Sequence, residues 1–161
     1  MDYQIRKIHK NECHLLGGFL YEAIYVPEGS PRPPKEIINI PDLQVYLHNF
    51  GEEETDYGFV AVSGNEIIGA IWARIMNDYG HIDDNTPSLA LAVCRPYRGY
   101  GIGTSLMRAL MERLQEDGFN AVSLSVQKSN PAFRLYQRLG FETVKTVMGE
   151  TEEEIVMRRP L

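Results

Sequence analysis

The sequence predicts a single mixed α/β domain over residues 1–161, and three observations support this prediction. The chain has 161 residues, of which 43% are hydrophobic and 24% charged, as expected for one globular domain with its own core. Segments with the apolar patterns of strands alternate with segments of helical periodicity. Turns rich in glycine and proline separate these segments. The predicted order of elements is β-α-α-β-β-β-α-β-α-β-β.

The first third of the chain is predicted to hold one strand, two helices and a long loop. Met1–Ile8 alternates apolar and polar residues, which is typical of a strand. Asn11 is expected to cap a helix that runs to about Tyr25. The prolines of Pro27–Pro34 exclude a helix or a central strand, and a loop of this length is typical of a lid or a binding loop. A short helix is predicted over Asp42–Phe50, with Pro41 in front of it.

The centre of the chain is rich in β-branched and aromatic residues, which favour strands. Two strands, Tyr57–Val62 and Ile67–Ile75, are predicted to form a hairpin around Ser63-Gly64-Asn65. A polar loop over Asn77–Pro87 follows them. The next strand, Ser88–Cys94, is a continuous apolar run, which is typical of a strand buried on both faces.

The last third of the chain holds the clearest helix and a predicted terminal hairpin. Apolar residues recur at helical spacing from Ile102 to Leu114, and Gly118 is expected to end this helix. A strand is then predicted over Ala121–Val126, and a short helix over Pro131–Leu139 that ends at Gly140. The last two strands, Phe141–Met148 and Ile155–Arg158, are predicted to form a hairpin around Gly149.

The composition excludes several classes of protein. The formal net charge is −6, so the chain is a poor candidate for binding nucleic acid and a reasonable one for a cationic partner or substrate. Cys13 and Cys94 are expected to be reduced thiols, and the four histidines form no spacing typical of a metal site. No apolar run approaches the length of about 20 residues that a membrane helix needs, and the polar amino terminus is not a signal peptide. We therefore expect a cytoplasmic protein without a metal, a membrane partner or a nucleic-acid partner.

The glycine-rich turn Arg95–Thr104 lies directly between the buried strand and the clearest helix. This arrangement suits a phosphate, because the first N–H groups of a helix have no partner within it and point beyond its start. The turn matches Arg-x-x-Gly-x-Gly in full. It lacks the lysine of a Walker loop, and Thr104 stands where a dinucleotide fingerprint needs its last glycine. The alternative is a tight turn whose glycines serve geometry alone.

With these motifs the chain resembles the GNAT N-acetyltransferase superfamily from about Tyr57 to its end. The strongest parts of the resemblance are Leu91-Ala92-Val93, Arg98–Gly103 and Asn130–Phe141. The order of the predicted elements also matches that fold. The resemblance implies a mixed, mainly antiparallel central sheet that is flanked by helices and splayed at the cofactor site.

The resemblance also implies that acetyl-coenzyme A is the cosubstrate. In this family the pyrophosphate would lie on the amides of Arg98–Thr104, and the pantetheine arm would pair with the backbone of Leu91–Val93. Asn130 is either a contact of the arm or simply the cap of the following helix. The complete set of residues implied to bind the cofactor is Leu91, Ala92, Val93, Arg98, Gly99, Tyr100, Gly101, Ile102, Gly103, Thr104, Asn130 and Phe133.

Acyl transfer to an amine needs an acid for the leaving thiolate, a donor for the oxyanion and a base for the amine. By resemblance Tyr136 is the general acid; the alternative is an aromatic residue packed in the core. The oxyanion donor would be an amide within Leu91–Val93, by the same analogy.

The base is not evident in the sequence. Many members of the family place a glutamate on the strand before the glycine turn or on the strand that follows it, and both strands lack a carboxylate here. One candidate is a water relay through a backbone carbonyl or through a serine, namely Ser88, Ser123 or Ser125. The other candidates are His81, Asp83 and Asp84 of the loop that precedes the buried strand, and Glu22 of the first helix. The acidic runs Glu52–Glu54 and Glu152–Glu154 are expected to be solvated turns.

The sequence thus favours an acyl-coenzyme A-dependent N-acyltransferase that transfers acetyl to a primary amine in a ternary complex. The acceptor would be a small molecule or the amine of a peptide or protein. Aromatic and acidic residues expected near its cleft are Tyr21, Tyr25, Trp72, Tyr79, Glu22, Glu28, Asp83 and Asp84. Two alternatives stay open, a non-catalytic acetyl-coenzyme A sensor and a nucleotide-binding fold of another kind. The resemblance to this family also implies a possible homodimer as the oligomeric state.

Overall fold

A seven-stranded sheet forms the centre of the structure, a computed structural model that describes residues 1–161. Across the sheet the strands run in the order β1-β2-β3-β4-β5-β7-β6. Only the pair β4–β5 is parallel, so the predicted mixed, mainly antiparallel sheet is confirmed. The strands are β1 (Gln4–Lys7), β2 (Tyr57–Ser63), β3 (Glu66–Arg74), β4 (Ser88–Val93), β5 (Ala121–Gln127), β6 (Glu142–Met148) and β7 (Glu153–Pro160).

Four α-helices accompany the sheet. They are α1 (Leu16–Ala23), α2 (Pro41–Gln44), α3 (Ile102–Glu116) and α4 (Ala132–Arg138), with 3-10 segments at Lys10–Leu15, Lys35–Asn39 and Arg95–Tyr97. None of the helices combines the length and the apolar character that a membrane span requires.

The hydrophobic core consists of two clusters, one on each face of the sheet. Alternate strand residues supply each cluster, because successive side chains of a strand point to opposite faces. Leu106 and Leu110 of α3 lie fully buried in one cluster, and Leu16 of α1 and Trp72 lie in the other. Each such side chain contributes roughly 1.5–3 kcal/mol by its burial. The two clusters together hold the helices against both faces of the sheet.

The first predicted helix differs in its bounds. It begins as a 3-10 segment at Lys10 rather than at a cap on Asn11, becomes α-helical only at Leu16, and ends at Ala23. It does not reach Tyr25 because the N–H and the carbonyl of Tyr25 both bind the side chain of Gln127, at 2.7 Å and 2.9 Å. A helix cannot use the same two backbone groups.

The prediction of a helix over Asp42–Phe50 is wrong for most of that range. Only Pro41–Gln44 is α-helical, and turns follow it. Arg74 donates hydrogen bonds to the carbonyls of Val45 and His48, and the indole N–H of Trp72 donates to that of Tyr46. These side chains take the carbonyls that a longer helix would have bonded to its own N–H groups.

The sheet opens between β4 and β5. A single residue pair, Ser88 and Ser123, joins the two strands, and the N–H of Ser123 donates to the carbonyl of Pro87 at 2.9 Å. Beyond this pair the strands diverge, although β4 stays paired with β3 along its full length. The predicted splay is therefore present, and the candidate site lies in it.

Candidate active site

A cavity of about 630 Å³ occupies the open end of the β4–β5 gap. Its walls come from the end of α1 and the segment after it, from β4, from the glycine-rich turn with the start of α3, and from α4. A cavity of this size and mixed lining is typical of a site for a small molecule or cofactor.

One wall is the free edge of β4. The N–H of Cys94 donates to the carbonyl of Ile68 on β3 at 2.8 Å, and hydrogen bonds alternate in direction along an antiparallel strand. The N–H and carbonyl groups of Leu91 and Val93 therefore point away from β3, into the gap. The side chain of Arg98 already takes one of them, since its Nε donates to the carbonyl of Val93 at 2.9 Å. The other groups are available to an extended ligand.

The glycine-rich turn forms the second wall. Gly99 and Gly101 have φ angles of 86° and 80°, a region that L side chains rarely adopt. The helix α3 begins at Ile102, directly after this turn, so its first N–H groups point into the cavity. Nothing lies within 4 Å of a Cβ built on either glycine, so the outer side of the turn is open to a ligand.

The larger cavity is positively charged although the chain as a whole is acidic. Four arginines line it: Arg32, Arg95, Arg98 and Arg138. Glu22 is the one carboxylate of the lining, and it lies 3.7 Å from Arg32 and 3.9 Å from Arg98. An anionic ligand would meet an excess of guanidinium groups here.

A second cavity of about 90 Å³ continues from the first one. The two cavities share five lining residues, namely Ala23, Ile24, Leu91, Asn130 and Tyr136. Leu124 and Val126 reach the smaller cavity from the face of the sheet that packs on α3, whereas Ser125, Gln127 and Glu154 reach it from the opposite face. The smaller cavity therefore passes through the sheet, which is possible only because β4 and β5 have parted.

Tyr136 stands where the two cavities meet. Its side chain is 9% exposed and packs edge to face on Phe141, with ring centroids 6.0 Å apart. Its hydroxyl makes no hydrogen bond within the chain, and burial raises its pKa to about 12. At neutral pH the phenol therefore keeps its proton beside the cavity.

Glu154 also lines the smaller cavity. Burial raises the pKa of its carboxyl to about 7, and the charges of Glu152 and Asp78 contribute to the increase. Asp78 is itself largely buried; its Oδ1 accepts a hydrogen bond from Ser88 at 2.7 Å and its Oδ2 has no partner. Burial, with the charge of Asp78 as the next cause, also raises the pKa of Tyr46, which lines the same cavity.

The structure brings most of the residues predicted to bind the cofactor into the wall of the larger cavity. Those that line it are Leu91, Ala92, Val93, Arg98, Gly99, Gly101, Ile102, Gly103, Thr104 and Asn130, and Tyr136 lies among them. Tyr100 does not; its side chain is 56% exposed. Phe133 also lies outside the lining and packs against the core cluster of α3. Asn130 accepts a hydrogen bond from the N–H of Ala132 at 2.9 Å, so it caps the start of α4 as well.

Of the residues proposed as bases, Ser125 lines the smaller cavity, and Glu22 lines the larger one, where it is paired with Arg32 and Arg98. The other candidates are engaged or lie outside both cavities. Ser123 donates to the carbonyl of Gly80 and Ser88 donates to Asp78, while His81, Asp83 and Asp84 form turns outside both cavities. Trp72 is fully buried in the core and is not in the cleft.

The expectation of a solvated turn holds for Glu52–Glu54 but is wrong for Glu154, which is the second residue of β7 and lines the smaller cavity. The sequence carried one signal for it, because Glu154 shares its strand face with the buried Val156.

Comparisons with known proteins agree with this geometry. A family model described as "Acetyltransferase (GNAT) family" matches residues 20–141. An N-alpha-acetyltransferase of Saccharolobus solfataricus is 35% identical over 140 residues, which cover 77% of this chain and 82% of that protein. Among solved structures, a GNAT acetyltransferase from Staphylococcus aureus Mu50 superposes with a TM-score of 0.73 at 20% identity, over 99% of each chain. The PaiA N-acetyltransferase of Thermoplasma acidophilum, solved with coenzyme A, gives a TM-score of 0.69 at 18% identity, over 100% of each chain.

Proposed function

This chain belongs to the acetyltransferase (GNAT) family and is an N-acetyltransferase, and we propose that it transfers acetyl from acetyl-coenzyme A to the α-amino group of a peptide or protein. The observation that carries the proposal is the pair of connected cavities in the opening between β4 and β5. The larger cavity suits an anionic cofactor with an extended arm, and the smaller one suits a thin, positively charged amine.

The residues of the larger cavity fit coenzyme A. The free backbone groups of Leu91 and Val93 are available to the amides of the pantetheine arm. The glycine-rich turn, the start of α3 and the nearby arginines offer N–H groups and positive charge to the phosphates. When bound, acetyl-coenzyme A would supply the acetyl group as a thioester.

Tyr136 has the properties of a general acid. Its phenol is protonated at neutral pH and lies where the two cavities meet. The hydroxyl donates to no group of the chain, so its proton is available to a ligand. We propose that it gives this proton to the sulfur as the acyl–sulfur bond breaks. An N–H of the Leu91–Val93 edge is the proposed donor to the oxyanion.

The smaller cavity supports the choice of acceptor. Its volume of about 90 Å³ suits a chain end that carries a single amine. Glu154 lines it, and Glu152 and Asp78 lie close enough to raise the pKa of that carboxyl, so the field favours a cation. The related protein from Saccharolobus solfataricus carries the name N-alpha-acetyltransferase, which agrees with a peptide amino terminus.

The test is an acetylation assay with matched peptides, read by mass spectrometry. One peptide has a free α-amino group and no lysine, a second has a blocked amino terminus and one lysine, and a polyamine and an aminoglycoside complete the panel. We expect acetylation of the first peptide only. Acetylation of the second peptide or of a small amine instead would overturn the proposed acceptor, and binding of acetyl-coenzyme A without any product would favour the sensor.

A further inference from the structure

The carboxylate of Glu154 has no partner within the protein. It makes no hydrogen bond and no ion pair, although it is half-buried at the start of β7. Its side chain lines the smaller cavity together with Ser125 of β5 and Tyr136 of α4. A carboxylate in such a place costs stability, so its position suggests a role toward a ligand.

The groups that face Glu154 are acidic or neutral. Asp78 comes from the loop between β3 and β4, Glu152 from the turn before β7, and the phenols of Tyr46 and Tyr79 from the segments that pack on this face. Gln127, its neighbour on β5, donates instead to Tyr25 and Thr151. No cation stands among these groups, so the positive charge that the site lacks can arrive with the acceptor.

We propose that Glu154 is the general base of the transfer. This inference rests on the proposed function. The acceptor first loses the proton of its ammonium form to solvent, and it then reacts as the free amine. As the bond between its nitrogen and the acyl carbon forms, the acyl–sulfur bond breaks, Glu154 takes the proton that the nitrogen loses, and Tyr136 gives one to the sulfur. Solvent then carries the proton of Glu154 back to Tyr136, so that one amide and one thiol are formed.

Other carboxylates are less suited to this role. Glu22 lines the larger cavity, where it is paired with Arg32 and Arg98. Asp78 lies behind the wall of the smaller cavity and is bonded to Ser88. Glu154 therefore differs from both, because it has no partner and lines the cavity that Tyr136 also lines. It also comes from β7, and not from either strand on which the resemblance would place a base.

The experiment compares Glu154→Gln with Glu153→Gln, a neighbour whose carboxylate lies 3.5 Å from Lys128 and outside both cavities. With the peptide that the wild-type protein acetylates, we expect Glu154→Gln to lower kcat/KM by about 10²–10⁴-fold and Glu153→Gln to leave it unchanged. Affinity for coenzyme A, measured by calorimetry, should be the same in all three proteins.

The pH profile separates a base from a merely structural residue. An α-amino group has a pKa of about 7.7–8.0 and Glu154 has one of about 7. Below about pH 7, log kcat/KM should therefore fall with a slope of about two in the wild-type protein and about one in Glu154→Gln. Asp78→Asn removes a nearby negative charge, so it should lower the pKa of Glu154. The part of the pH profile that depends on Glu154 should then shift to lower pH. A carbon-13 NMR titration of the apo protein should show the Glu154 carboxyl titrating near neutral pH.

Several results would overturn the inference. They are an unchanged kcat/KM in Glu154→Gln, an unchanged slope, or a Glu154 carboxyl that titrates at its ordinary value. If the wild-type protein acetylates another amine and not the peptide, the proposed acceptor is wrong, and the same variants are measured with that amine. If no amine is acetylated, both the proposed function and this inference fail.

Discussion

Tyr136 and Glu154 line one cavity although they approach it from opposite faces of the central sheet. Tyr136 lies in the core cluster that packs on α3, and Glu154 points to the face that packs on α1. The parting of β4 and β5 beyond Ser88 and Ser123 joins the two faces. The proposed proton donor and the proposed proton acceptor thereby line one cavity across the thickness of the sheet.

Replacing Tyr136 by Phe tests the proposed acid. The hydroxyl makes no hydrogen bond in the chain, and a Phe ring keeps the contact with Phe141, so the thermal stability should not fall. We expect kcat to drop by about 10²-fold or more, with affinity for coenzyme A unchanged. Steady-state kinetics and calorimetry give both values, and full activity of the variant would remove Tyr136 from the mechanism.

The glycine-rich turn can be tested with a pair of glycines that share the same strain. Gly101 and Gly118 have φ angles of 80° and 91°, and a Cβ on either meets nothing within 4 Å. Each substitution by Ala should therefore lower the free energy of unfolding by about 1–2 kcal/mol. Only Gly101→Ala should also weaken the binding of coenzyme A, by roughly tenfold. Equal affinities in the two variants would show that the turn does not meet the cofactor.

The contact of Gln127 with Tyr25 is expected to shape the acceptor side. Gln127→Leu leaves the N–H and the carbonyl of Tyr25 without partners, which costs about 1–3 kcal/mol, and frees the segment after α1. We expect the KM for the acceptor to rise more than kcat falls, together with faster hydrogen exchange at the amide of Tyr25. Gln115→Leu on the exposed side of α3 is the control and should change neither quantity.

Glu154 should also make the stability depend on pH. Its folded-state pKa of about 7 lies above the ordinary 4.5, so the folded protein holds this proton more tightly than the unfolded chain. Below the ordinary pKa both states are protonated and the residue costs nothing. As the pH rises from about 4.5 to above 7, stability on the order of 3 kcal/mol is lost, because the unfolded chain releases this proton first. Glu154→Gln should therefore raise Tm at pH 8 and leave it unchanged at pH 4, and an equal Tm at pH 8 would contradict this account.

The buried ion pair between Arg74 and Asp56 is expected to hold the segment that carries Tyr46. Arg74 lies 3.0 Å from Asp56 and also donates to the carbonyls of Val45 and His48. Arg74→Met should cost about 3–5 kcal/mol, because it leaves a buried carboxylate unpaired. Adding Asp56→Asn should recover part of that loss in a denaturation experiment. A double variant no more stable than the single one would show that the pair is not coupled.

Local patterns in the sequence predicted the elements nearest the cofactor cavity. The buried strand before the turn, the turn itself and α3 follow from apolar runs, glycine spacing and helical periodicity, all of which involve neighbours along the chain. The structure bounds these elements at Ser88–Val93 and Ile102–Glu116. The same patterns did not predict the end of α1 or the turns after α2. Side chains far away in the sequence, Gln127 and Arg74, take those backbone groups.

The sequence by itself determined the family of the protein and the place of its glycine-rich turn, because both rest on short segments whose geometry is local. Only the tertiary structure decided which acid lines the smaller cavity. Glu154 belongs to an acidic run that the sequence pattern predicts to be solvated. Its burial depends on how β7 pairs with β5 and on which residues pack on the face of the sheet that carries Glu154. The pKa of a carboxyl depends on desolvation and nearby charges in space, and a linear pattern contains neither.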